Sequence, residues 1–384
     1  MGAFTSADIQ KYQARYSTPV RPAGYCTIGE SKKNRCTIQV KKLEGGGVWE
    51  IRPFHSITPS PRIGHCMVYD SANDLAAISY GAAPDNRLLC DFWVIDFCKN
   101  EWIMIKVNEN DVSPRVGAAA VLINDEMWVF GGSNEQGYLD DLHIINLTNG
   151  HVRRPNTEGP VPEPRMNHVM AYHNGIIMVY GGKNDAILQK LHFLDISTLS
   201  WTEVNVADSC VSASVAMYQS KAFVYGGRKS TGFLAFDFSF SDASVIPTSG
   251  KGPSPSIINS SMVAVDKYIM LIGGESMAPD EKDMQFSPIY MFDPETRQWF
   301  VISIRPDCLT TSIKDGEIDS NGEFLLPLCT QSSAIYREKQ REVAVFLGLP
   351  QNDPPVLFVI QIMEPLSSLH LAKDMVSMLK LSVQ

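Results

Sequence analysis

A diglycine preceded by a short β-prone run recurs along the chain, as Val129-Phe130-Gly131-Gly132, Val179-Tyr180-Gly181-Gly182, Val224-Tyr225-Gly226-Gly227 and Leu271-Ile272-Gly273-Gly274. A weaker copy reads Ile78-Ser79-Tyr80-Gly81-Ala82. Taking Gly81 as the first glycine of that copy, successive first glycines stand 50, 50, 45 and 47 residues apart. A period of this size implies a series of like units, each too small to bury its own faces and stable only against its neighbours.

Every unit carries the same phrase in the same order. Ahead of the glycines stands a Pro-Arg element: Pro61-Arg62-Ile63-Gly64-His65, Pro114-Arg115-Val116-Gly117 and Pro164-Arg165-Met166-Asn167-His168. Behind them come a polar loop and an alternating strand that ends in an acid or its amide. These strands read Phe92-Trp93-Val94-Ile95-Asp96, Leu142-His143-Ile144-Ile145-Asn146, Leu191-His192-Phe193-Leu194-Asp195 and Ile289-Tyr290-Met291-Phe292-Asp293. A turn follows, and then Trp102, Val152, Trp201, Val245 or Trp299 opens one more strand. Four short strands with period-two alternation and turn signals between them make a four-stranded sheet. Sheets of 45 to 50 residues stacked radially make a β-propeller, with tryptophan wedged between neighbours.

With four diglycines in register with three Pro-Arg pairs and three of these tryptophans, the chain resembles the kelch-repeat family over about residues 55 to 305. The resemblance implies an all-β kelch propeller of four-stranded blades. Counting last strands at 49, 102, 152, 201, 245, 299 and 343 predicts seven blades, with six the alternative. In this reading Tyr25–Ile28, Cys36–Val40 and Val48–Ile51 are the second to fourth strands of a first blade. Val356–Ile360 is its missing strand, so that N- and C-terminal strands join and close the ring. Ser333–Tyr336 and Val343–Val345 are read as the last two strands of a degenerate final blade, in which Pro327-Leu328 replaces the diglycine. Short helices are expected over Thr5–Tyr16 and through Leu366, Leu369, Ala372, Val376 and Leu379. The domains are then an N-terminal extension over 1–23, the propeller over 24–362 and a C-terminal helix over 363–384.

The formal net charge of -9 disfavours a nucleic-acid or anionic-lipid partner. The longest apolar run, Pro354–Met363, is about half the length needed to cross a bilayer, and the first twenty residues lack signal-peptide order. Eight scattered cysteines without a CxxC pair read as free, mostly buried thiols, with a Cys26–Cys36 hairpin disulfide the lesser alternative. The expected location is cytoplasmic, or else nuclear. No phosphate-binding loop, zinc-protease motif, nucleophile elbow or calcium loop is present. His65 and His168, like His143 and His192, occupy matching repeat positions, so architecture accounts for them and no catalytic, metal or cofactor site is assigned.

What remains is surface recognition. The resemblance implies that the segment entering the first strand and the loop joining the second to the third emerge on one face around the central channel. Arg62, Arg115 and Arg165 would stand there, together with Asn86, Arg87, Asn134, Gln136, Tyr138, Lys183, Asn184, Arg228 and Lys229. Arginine, aromatic and amide side chains anchor peptide partners, and a cationic mouth on an acidic protein suits an acidic or phosphorylated segment. The Pro-Arg arginines have a second reading, as braces that hydrogen-bond carbonyls of the neighbouring blade. The expected function is a non-enzymatic interaction module with a protein partner. The alternatives are a structural subunit of a larger cytoskeletal or organellar assembly, and a kelch-type oxidase or sugar epimerase.

Overall fold

The computed structural model describes residues 47–362, apart from residues 55, 109–110, 207, 231, 239–241, 251, 277–285, 288, 303, 307–325, 328, 350 and 352. Both expected terminal helices, the proposed strands within residues 24–46 and most of the loop from Glu275 to Phe286 lie outside the described residues.

Six antiparallel four-stranded sheets follow one another, two of them carrying a short extra parallel strand at the edge. The first blade is Cys66–Asp70, Leu75–Ser79, Phe92–Asp96 and Glu101–Ile105. The second is Ala119–Ile123, Glu126–Phe130, Leu142–Asn146 and the two-residue strand Val152–Arg153. Blades three to five begin at Val169–His173, Ser214–Tyr218 and Ser261–Val265. Each first strand runs along the central channel, whose wall takes residues from all six blades.

The sixth blade corrects the expected count. Ser333–Arg337 is its first strand and Glu342–Phe346 its second. Val356–Ile362 is the third, and Gly47–Pro53 pairs with it over seven residues, from Gly47 opposite Ile362 to Pro53 opposite Val356. Val343 therefore lies in a second strand and is not the last strand of a blade of its own, which reduces seven last strands to six. Val356–Ile362 is held between residues 342–346 and 47–53, so it does not start a blade containing Cys26. The motif of this blade is Phe346-Leu347-Gly348, with φ of 58° at Leu347 and 78° at Gly348, and not Pro327-Leu328. In the weak copy, likewise, Tyr80 at φ 64° holds the first position of the pair and Gly81 the second.

The diglycine exists because two blades meet there. Gly181 has φ of 69°, and a Cβ on it would lie 2.5 Å from the carbonyl oxygen of Cys210 in the next blade's entering segment. The second residue of each pair then donates its N–H to that segment. Gly81 bonds Arg115 O, Gly132 bonds Arg165 O and Gly182 bonds Cys210 O, each at 2.8 Å. Gly227 bonds Ile257 O at 2.6 Å, Gly274 bonds Cys329 O at 2.8 Å, and Gly348 of the sixth blade bonds Arg62 O of the first at 3.1 Å. Nearer the channel, N–H donors of Gly117, Asn167, Ser212, Asn259 and Gln331 each bond the equivalent carbonyl of the preceding blade at 2.8–3.0 Å.

Tryptophan wedges as expected. Trp102 meets Phe346 of the sixth blade, Trp201 meets Phe130 of the second, and Trp299 meets Tyr225 and Phe233 of the fourth, with ring centroids 5.0–6.0 Å apart. On the side away from the channel mouth, Arg337 of the sixth blade holds Asp74 of the first, with Nε 2.9 Å from Oδ1. Arg337 also pairs with Glu342, which Arg52 clamps through both oxygens at 3.0 and 3.1 Å. Burial works to raise the Asp74 pKa, but hydrogen bonds from Arg337 and Tyr69 outweigh it and hold the carboxyl below the ordinary carboxylate range.

Candidate interaction surface

One face of the ring, called here the mouth face, is assembled by pairing the residue after each diglycine with the segment that enters a first strand. These bridges are Ile63 with Ala82, Val116 with Ser133, Met166 with Lys183, Val211 with Arg228, Ile258 with Glu275 and Thr330 with Leu349. The two loop types that the sequence assigned to one face are therefore neighbours.

The arginines of the Pro-Arg elements do not face out. Arg62, Arg115 and Arg165 are 0%, 1% and 0% exposed, so their assignment as partner contacts is corrected. Each Nε donates to the carbonyl two residues back, that of Ser60, Ser113 or Glu163, at 2.9–3.2 Å. Each NH1 donates to the carbonyl of the first residue of its own blade's pair, Tyr80, Gly131 or Gly181, at 3.0–3.1 Å. Arg62 also takes Asp91 and Arg115 takes Asp141 as bidentate partners, at 2.6–3.0 Å. The bracing reading was right in kind, although the carbonyls belong to the arginine's own blade. A buried guanidinium is tolerable only when its donors are met in this way.

Arg165 departs from the pattern. The residue opening its third strand, where Asp91 and Asp141 stand in the two earlier blades, is Lys190, whose ammonium turns outward to Glu203 at 2.9 Å. One terminal nitrogen of Arg165 is buried without a hydrogen-bond partner. Burial draws the Arg165 pKa down to about 10, against the opposing fields of Glu163 and Glu203.

The joining loops divide into structural and exposed residues. Asn134 Oδ1 accepts the Gln136 N–H at 2.8 Å, and Asn184 Oδ1 accepts the Ala186 N–H at 3.0 Å, so both amides shape their own turns. The Tyr138 ring packs on the cluster of Ile63, Ala82, Val116, Met166 and Leu349, and burial raises its pKa. Arg87 is exposed but lies 3.6 Å from Asp85. Gln136, Arg228 and Lys229 are exposed. Among the described residues the mouth face thus presents an adjacent exposed cationic pair, Arg228-Lys229, on the fourth blade.

The channel wall beneath is neutral. His65 Nε2 lies 2.7 Å from Ser333 Oγ, and His168 is buried against Phe130. Burial, reinforced by Arg62 and Arg165 respectively, lowers both imidazoles to about 3. His143 is held by the Tyr80 hydroxyl at 2.6 Å and by Asp141, and His192 lies 3.4 Å from Glu203. Among the described residues no group of three His, Cys, Asp or Glu side chains stands ready to hold a metal ion. Cys66, Cys210 and Cys329 are buried thiols outside any disulfide, and Cys98 is an exposed one. No helix among the described residues is long and apolar enough to cross a membrane.

Asp91 and Asp141 were not singled out from the sequence. Their signal is present: each directly precedes a third strand in a blade that has a Pro-Arg element. The channel ring of positive φ at Gly64, Gly117, Asn167, Ser212, Asn259 and Gln331 also has a sequence signal, glycine or an uncharged polar residue at one fixed place per repeat.

Residues 24–227 match the family model of the KLHDC2/KLHL20/DRC7 Kelch-repeats domain. Tip elongation aberrant protein 3 of Schizosaccharomyces pombe is 29% identical in an alignment of 181 positions that covers 37% of this chain and 16% of that protein. The human Rab9 effector protein with kelch motifs is 26% identical in an alignment of 210 positions that covers 49% of this chain and 56% of that protein. Host cell factor homolog hcf-1 of Caenorhabditis elegans is 32% identical in an alignment of 140 positions that covers 30% of this chain and 18% of that protein. The chain therefore spans at most 56% of the length of these three relatives.

Proposed function

Because the chain belongs to the kelch-repeat family, we propose that it acts as a rigid protein-interaction scaffold whose mouth face takes an acidic or phosphorylated segment of a partner protein. A relative named as a Rab9 effector supports a protein as the partner class. The observation that carries the reading is the separation of two cationic populations. Arg62, Arg115 and Arg165 are consumed in bracing the loops, while Arg228 and Lys229 project from the same face into solvent. A framework fixed before binding lowers the ordering cost of recognition, and exposed cations supply complementarity and association rate. The alternative of a structural subunit held by terminal helices rests on residues outside those described.

The test pairs two variants with a fluorescent peptide rich in aspartate and phosphoserine, read by anisotropy. Arg228→Glu/Lys229→Glu should weaken binding at least about tenfold, with an unfolding temperature close to that of the unchanged protein. Arg115→Met should lower that temperature instead, because it takes the guanidinium from Asp141 and from the carbonyls of Ser113 and Gly131. Equal binding by the unchanged protein and the charge-reversed variant would remove this surface from consideration.

A further inference from the structure

The first, third and fifth blades each send an indole into the outer part of the joint with the preceding blade, while the second blade has Val152 at that place. Val152 pairs with Ile145 as Trp102 pairs with Ile95, in a strand of only two residues. The joint between blades one and two stays open on its outer side, as a cleft of about 500 Å³. Val68, Leu75, Val94 and Ile103 form one wall and Leu122 and Leu147 the other, with Asp70, Asp125 and Lys106 as the charged lining residues. Ile103 and Met104 at its lip are 49% and 53% exposed. Loss of the tryptophan alone does not produce such an opening. The fourth blade has Ala243 at the equivalent place, paired with Phe236, and not Val245 as the sequence suggests, yet Phe238 fills the joint against His173 and Phe193.

The turns at residues 70–75, 123–126 and 146–151 put the cleft on the face opposite the mouth. The described chain also ends on that face. Gln361 pairs with Glu342, Glu342 holds Arg337, and Arg337 holds Asp74, whose chain neighbours Asn73 and Leu75 line the cleft. Twenty-two residues follow Ile362 in the sequence. They carry Leu366, Leu369, Ala372, Val376 and Leu379 at intervals of three or four, and Lys373 and Lys380 to set against the Asp70 and Asp125 carboxylates. Even at about 1.5 Å per residue this length reaches roughly 33 Å. Aliphatic surface gains about 25 cal/mol for each Å² withdrawn from water, so an open apolar cleft favours an occupant. We propose that the cleft between blades one and two seats the chain's own C-terminal segment, residues 363–384.

Met104 is a built-in reporter, because peroxide oxidises an exposed thioether much faster than a covered one. Its conversion in the full chain is followed by mass spectrometry beside Met178 and Met270, which are fully buried and monitor the fold. Leu369→Asp/Val376→Asp should speed Met104 oxidation about tenfold while Met178 and Met270 remain slow, and a synthetic peptide of residues 363–384 should restore protection. Equal Met104 rates in the two proteins would overturn the proposal, as would failure of the peptide to protect. Protection that grows with protein concentration would assign the cleft to a second copy, and that too would overturn it.

Discussion

Arginine and aspartate act as a unit in the first two blades. Arg62 with Asp91 and Arg115 with Asp141 tie the entering segment to the start of the third strand, so two loops of the mouth face move together. The third blade keeps the arginine and loses the acid, leaving a buried donor of Arg165 unmet. Supplying the acid is therefore expected to stabilise the protein. Lys190→Asp should gain about 1.5–3 kcal/mol from a charge-assisted hydrogen bond. It gives up the exposed Lys190–Glu203 pair, worth about 0–1 kcal/mol. The net gain of about 0.5–3 kcal/mol is read from the denaturant midpoint at unchanged m-value. A variant no more stable than its parent would mean that Arg165 is already satisfied.

At the scale of strands and blades, stability rests on the joints. Trp201 is buried between the second and third blades, among Phe130, Ile144, Val179 and Leu194. Trp201→Ala should cost about 3–5 kcal/mol, measured by chemical unfolding, and a loss below 1 kcal/mol would contradict its role as a wedge. The same joints explain what the sequence disclosed. Five of the six blades were legible because positive φ and close approach to the next blade leave almost no choice but glycine, as at Gly181. The sixth blade was misread because Leu347 stands in the first glycine's place, and because Ser333-Ala334-Ile335-Tyr336 alternates as well for a third strand as for a first. Period two reports which side of a sheet a residue faces, not its order in the blade. The match of Gln331-Ser332-Ser333 to Asn259-Ser260-Ser261 was the available clue. Burial of the Pro-Arg arginines was unreadable from composition, since an exposed and a buried guanidinium look alike until Asp91 and Asp141 are seen beside them.

Across the whole molecule, blades are joined by backbone hydrogen bonds near the mouth, by aromatic packing further out, and by the Arg337–Asp74 ion pair between the sixth and first. Recognition is then left to exposed side chains, such as Arg228 and Lys229, on loops whose bases are fixed. The donors of all six pairs, from Gly81 to Gly348, serve one cooperative framework in which the last blade bonds the first. Site-resolved amide hydrogen exchange of Gly81, Gly132, Gly182, Gly227, Gly274 and Gly348 tests it directly. Comparable slow exchange at all six, lost together on global unfolding, is the expected result. Rapid exchange at Gly348 while the other five stay protected would contradict it.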